Sequence, residues 1–239
     1  MSSGRIARYI TAATLASAFG SPSFALAQPQ AVPTVTCPFE TMTGTEHVSA
    51  PHSISAEVPA ALNGRVAYYT VGMAAVFAPR GWKCVGHGGS SGVTLVVVPG
   101  AVPSGDLNKQ IGVEVKRASG GTSGRFTVVA AGGPLFPALR TLASRWSNGD
   151  PSLKTVSDQP KRGESVTHIS STVARFCDPP GIHGVGDGSG GAHATCGIAT
   201  IVGAIPSGRG TENFPDLRVV SVTMQDQATT SAFITLNGR

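Results

Sequence analysis

Two stretches of this 239-residue chain carry residue types whose spacing could do chemistry. The first is His87-Gly88-Gly89-Ser90-Ser91-Gly92, which contains the G-x-S-x-G pattern of a nucleophile elbow. That pattern activates a serine only where a strained strand-to-helix turn lifts the hydroxyl onto a helix N-terminus, so that backbone amides meet the oxyanion. Here the β-branched run Val93-Thr94-Leu95-Val96-Val97-Val98 follows, and it reads as a strand. Ser90 is therefore expected in the turn of a hairpin. The second stretch gathers Cys177, Asp178, His183, Asp187, His193 and Cys196. Two thiols and two imidazoles could complete a tetrahedral zinc site. Their order, C-x5-H-x9-H-x2-C, matches no common zinc module, and a disulfide is the expected fate of thiols in an exported chain.

Within that second stretch, Gly186-Asp187-Gly188-Ser189-Gly190-Gly191 resembles the GDSGG motif of trypsin-like serine proteases, and Ala192-His193-Ala194-Thr195-Cys196 resembles their histidine box. Gly188 intrudes between the aspartate and the serine. Both half-motifs also fall within one short segment, whereas that family draws its histidine and its serine from different barrels. The order does not supply a triad. His47, His52 and His168 are isolated and read as surface or satisfied interior residues.

The elements that must position these residues are mostly strands. Ile54–Val58, Arg65–Val71, Val76–Val85, Val93–Val98, Ile111–Lys116, Arg125–Ala131, Val166–Ser170, Thr172–Cys177, Thr195–Gly203, Leu217–Gln225 and Ser231–Leu236 are short apolar or alternating runs. In the fifth of these, Ile111, Val113 and Val115 share one face while Glu114 and Lys116 share the other. One amphipathic helix is expected between Pro137 and Trp146, where Leu139, Leu142, Ala143 and Trp146 recur at helical spacing before Gly149 and Pro151. Trp82 and Trp146 are expected as the two main apolar anchors. The predicted fold is mainly β (α+β), an antiparallel sheet or sandwich with one amphipathic helix packed on it.

The N-terminus reads as an export signal. Arg5 and Arg8 precede an apolar run to Phe19, and Ala25-Leu26-Ala27 is a small-x-small cleavage pattern, so residues 1–27 are expected to be a signal peptide. No later run is long enough to be transmembrane. Residues 28–53, rich in Pro, Thr and Ser, read as an extended lead-in to a single β-rich domain over 54–239. Loss of the signal removes two arginines and no acid. The remaining balance is mild, with no basic run longer than two residues, which argues against nucleic acid as a partner.

Cys37, Cys84, Cys177 and Cys196 form an even set behind that signal, as a disulfide framework in an oxidising compartment requires. Three connectivities are possible for four cysteines. Proximity favours Cys37 with Cys84 and Cys177 with Cys196, although spacing alone does not decide it.

The run Ala78-Pro79-Arg80-Gly81-Trp82-Lys83-Cys84, followed by Gly89-Ser90-Ser91-Gly92 and an apolar strand ending at Pro99, resembles a segment of uncharacterised secreted bacterial proteins. Gly120-Gly121-Thr122-Ser123-Gly124-Arg125-Phe126 and Phe214-Pro215-Asp216-Leu217 are weaker echoes of the same group. The resemblance implies an envelope or secreted location and no particular activity. Taken together, the expected function is a secreted or periplasmic, non-catalytic, envelope-associated binding or interaction module without a cofactor. The competing expectation is an extracellular hydrolase with a site on the Gly181–His193 loop, built on Asp178, His183, Asp187 and His193, with or without a metal ion.

Overall fold

The computed structural model describes residues 29–102, 111–121, 123–146, 162–182, 184, 191–205 and 214–239, with side chains to residue 142 in the helix that ends at Trp146. The expected signal peptide lies outside them. Among the described residues, thirteen strands fall into two sheets. The smaller sheet contains β1 (Pro29–Thr36), β4 (Ser53–Glu57), β5 (Val66–Thr70) and β6 (Ala75–Pro79), in the order β4-β1-β5-β6. The larger has nine strands in the order β10-β11-β12-β13-β9-β8-β7-β2-β3. Its members are β2 (Phe39–Thr41), β3 (Gly44–Glu46), β7 (Lys83–Gly89), β8 (Gly92–Val98), β9 (Gly112–Ala118), β10 (Ser165–His168), β11 (Val173–Asp178), β12 (Thr195–Val202) and β13 (Asp216–Thr223). Pairing is antiparallel except where β1 meets β5 and β2 meets β7.

Alternation in the long strands assigns each face of the large sheet to its own core. Leu95, Val97, Val113, Val115, Ile198, Val220 and Val222 point to the small sheet and share a core with Val66, Tyr69, Val76 and Ala78. Ala174, Phe176, Ala199, Ile201, Leu217 and Val219 point the other way, onto helix α1 (Arg125–Gly132) and helix α2 (Pro137–Trp146). A third helix, α3 (Gln227–Asn237), lies beside β6 and buries Phe233, Ile234 and Leu236 in the first core. Both faces of the large sheet are thus covered. No helix among the described residues is long and apolar enough to cross a membrane.

The mainly β class and the α2 helix agree with the sequence reading; several elements do not. Arg125–Ala131, expected as a strand, is helix α1. Ser231–Leu236, expected as a strand, is the second half of α3. Both segments are rich in β-branched residues, yet their buried positions follow helical spacing: Val128, Val129 and Gly132 in α1, and Thr230, Phe233, Ile234 and Asn237 in α3. Burial of one stripe outweighs the weak propensity cost of Thr, Val and Ile. Asp226 completes the start of α3, its carboxylate accepting the Thr229 N–H at 2.8 Å.

The expected single strand from Val76 to Val85 is two strands in two different sheets. Gly81, at φ +87°, turns the chain from β6 into β7. Cys37-Pro38 makes a second crossing, from β1 to β2. The crossings are tied together: Cys37 bonds Cys84, and the Tyr69 hydroxyl donates to the Pro79 carbonyl at 2.8 Å while accepting the Trp82 N–H at 3.0 Å. Residues 29–36, within the expected lead-in, form a strand with neighbours on both sides. Trp82 is half-buried at the margin of the first core and not at its centre. The anchoring role expected of Trp146 falls outside the described side chains.

Candidate functional site

Ser90 lies in a two-residue turn between β7 and β8, with strands on both sides and its hydroxyl 3.4 Å from that of Ser123. A strand and not a helix follows it, so no helix N-terminus presents backbone amides to an oxyanion there. Gly86 and Gly88 are within β7, where a Cβ would overlap Val71 and Phe39 respectively, so they are there to let side chains close on the strand. His87 Nδ1 sits 3.2 Å from Glu40 Oε2 at the surface.

Cys177 and Cys196 face each other across β11 and β12 and form a disulfide, as Cys37 and Cys84 do. The bond consumes both thiols of the conceivable zinc set. His183 and Asp187 lie outside the described residues. Asp178 is wholly buried at the end of β11, with Gly184 folded directly against its carboxylate, and His193 is half-buried just ahead of β12. Neither His168 nor His87 approaches Asp178. His168 pairs with Ala174, four residues back along the neighbouring strand, about 13 Å away, and its Nε2 lies 2.7 Å from the Leu135 carbonyl. His87 is five strand steps across the sheet, about 24 Å away. Among the described residues, no three His, Cys, Asp or Glu side chains are grouped to hold a metal ion.

A cleft of about 470 Å³ opens elsewhere. It is the wedge left where β6 and the end of α3 diverge over β9, β13 and β12. The paired rings of Tyr68 and Phe77, with centroids 5.1 Å apart, supply its apolar wall, and Val115, Val76 and Leu236 are buried behind them. Met73 and Val202, 56% and 50% exposed, stand on the same lining. Its charged residues are all arginines: Arg117, Arg218 and Arg239. Arg117 donates to Asp216 at 3.3 Å, and Arg239 to Glu57 at 2.9 Å. Arg218 has no acid beside it among the described residues. Its Nη1 donates to the Asn237 carbonyl at 3.1 Å and its Nη2 to the Ala75 carbonyl at 3.5 Å. Burial draws its pKa below the ordinary arginine value.

Asn237 shapes the same wedge. Its side-chain amide accepts from the Phe77 N–H at 2.8 Å and donates to the Phe77 carbonyl at 2.9 Å, doing for the outer edge of β6 what another strand would do. The cleft therefore has a firm wall built by a side chain and not by a ladder.

The sequence reading passed over Arg117 and Arg218, although each left a trace. In β9 the inward face reads Val113, Val115, Arg117; in β13 it reads Arg218, Val220, Val222. A charge that continues an apolar row is the legible signal. No protein-family model, curated protein or solved structure matches the chain. The β-rich fold and its two disulfides fit an oxidising, extracytoplasmic compartment.

Proposed function

We propose that this protein is a secreted or periplasmic, non-catalytic binding module whose ligand site is the cleft between β6 and α3. The carrying observation is the cleft's own chemistry: apolar and aromatic walls with arginine and amide groups placed among them. Such a lining holds and orients a small molecule. The charged side chains of this lining are arginines, which donate hydrogen bonds and carry no acceptor atom with which to take a proton from a substrate. The disulfides and the resemblance of the Ala78–Cys84 segment to secreted proteins support the location, as does the N-terminal pattern of an export signal.

The test is a thermal-shift screen of small organic molecules against protein exported through an oxidising compartment, followed by mass spectrometry of each ligand found. Saturable stabilisation, lost when the cleft is filled by Val202→Trp, with the ligand recovered intact, is the expected result. Turnover of a ligand, or labelling of Ser90 by a fluorophosphonate probe, would overturn the non-catalytic reading.

A further inference from the structure

Arg117 and Arg218 are direct register partners on adjacent antiparallel strands. Residues so paired project from the same face of a sheet with Cβ atoms about 5 Å apart, and like charges there repel. The face is the one that carries the main core, since Val115 and Val220 precede and follow the two arginines in the same rows. Arg218 is half-buried beside β6, where water screens its charge less than at an open surface, and Arg117, its side chain 48% exposed, flanks it on the same cleft lining. Only one acid, Asp216, reaches this pair among the described residues. It serves Arg117 and the Gly120 N–H, which donates to its other oxygen at 3.0 Å. The two carbonyls that hold Arg218 fix its position and leave its charge unmatched, with donors of its planar fork still to spare.

A fold whose local choices otherwise agree departs from that agreement mainly where it functions. From this geometry we infer that Arg117 and Arg218 together form the receptor for an anionic head group, and that the ligand of the cleft is an organic carboxylate with an apolar body. The inference rests on the binding reading above and specifies its ligand. The head group accepts from both forks, which neutralises the pair. The body runs along the part-exposed rings of Tyr68 and Phe77 toward Met73 and Val202, which are exposed. A bare inorganic anion would satisfy the arginines and leave that apolar wall wet. A neutral lipid would cover the wall and leave the charges opposed.

The experiment is titration calorimetry on the exported protein with octanoate, 1-octanol and inorganic phosphate. Octanoate should bind with one site per chain, and 1-octanol and phosphate at least tenfold more weakly. Arg218→Met, which keeps an unbranched apolar stem, should weaken octanoate at least tenfold and leave 1-octanol unchanged. Arg117→Met supplies the same comparison if the first variant does not fold by circular dichroism. Octanoate affinity should also fall as sodium chloride rises, and 1-octanol affinity should not. Equal binding of octanoate and 1-octanol would overturn the anion receptor while leaving a cleft that binds apolar molecules. Phosphate binding as tight as octanoate would overturn the apolar body. Octanoate binding that survives both arginine variants would place the site elsewhere and overturn the inference.

Discussion

Tyr69 shows how one hydroxyl holds two sheets in relation. It is fully buried, yet its oxygen reaches the carbonyl of Pro79 and the N–H of Trp82, on either side of the Gly81 crossing. Tyr69→Phe keeps the ring and strands both backbone groups, so a loss of about 1–3 kcal/mol is expected in urea unfolding. The residue also carries a pH dependence. Burial raises its pKa above the ordinary 10.0, so the folded state holds the phenolic proton more tightly than the unfolded one. That contribution is complete below 10.0 and is lost as pH rises through the folded value. Unfolding curves of wild type should show an alkaline loss that Tyr69→Phe lacks. An identical alkaline slope in both proteins would assign the loss to other groups.

Among the elements, α3 sets the cleft, because its last turn delivers Asn237 to the edge of β6 and a carbonyl to Arg218. Two positions control it. Asp226 caps its first turn, and the hydrogen bond from Thr229 lowers the carboxyl pKa below its ordinary 3.8. A depressed acid contributes stability that is present above 3.8 and is lost as pH falls through the folded value. Asp226→Ala should therefore lower the melting temperature at neutral pH, and the difference from wild type should close in acid. At the other end, Asn237→Leu keeps a branched side chain at that position and removes the amide that occupies the Phe77 N–H and carbonyl. Hydrogen exchange at Phe77 should accelerate, with a stability loss of about 1–3 kcal/mol from the two groups left without a partner. Unchanged protection at Phe77 would show that the β6 edge does not depend on Asn237.

For the whole molecule the disulfides carry separate tasks. Cys37–Cys84 joins the crossing from the small sheet to a strand of the large one, closing 47 residues. Cys177–Cys196 staples neighbouring strands around the glycine-rich segment between them, closing 19. Loop-entropy arguments give about 4 kcal/mol for the first and about 3 kcal/mol for the second. Cys37→Ala/Cys84→Ala should thus be the more destabilising double substitution, as read by chemical denaturation without reductant. The reverse order would mean that the glycine-rich segment, and not the joint between the sheets, limits stability.

The sequence alone determined the mainly β class, the α2 helix and the hairpin turn at Ser90, and it favoured, without deciding, the cysteine pairing that the structure shows. Each is written in local terms: strict alternation, helical spacing, or neighbouring runs that bring two cysteines opposite each other. It misled where local propensity opposed packing. The β-branched residues of Arg125–Ala131 and Ser231–Leu236 read as strands because their helical stripes became decisive only once a sheet was present to bury them. The break at Gly81 was hidden for a related reason, since apolar residues run on both sides of it and only the choice of sheet differs. Arg117 and Arg218 lie 101 positions apart in the sequence and become opposite partners because β9 and β13 are neighbours in the large sheet. Each strand's alternation already placed its arginine in the row that carries core residues. That the two would meet, under β6 and beside the end of α3, was decided by strand order, which long-range burial sets and local sequence does not encode.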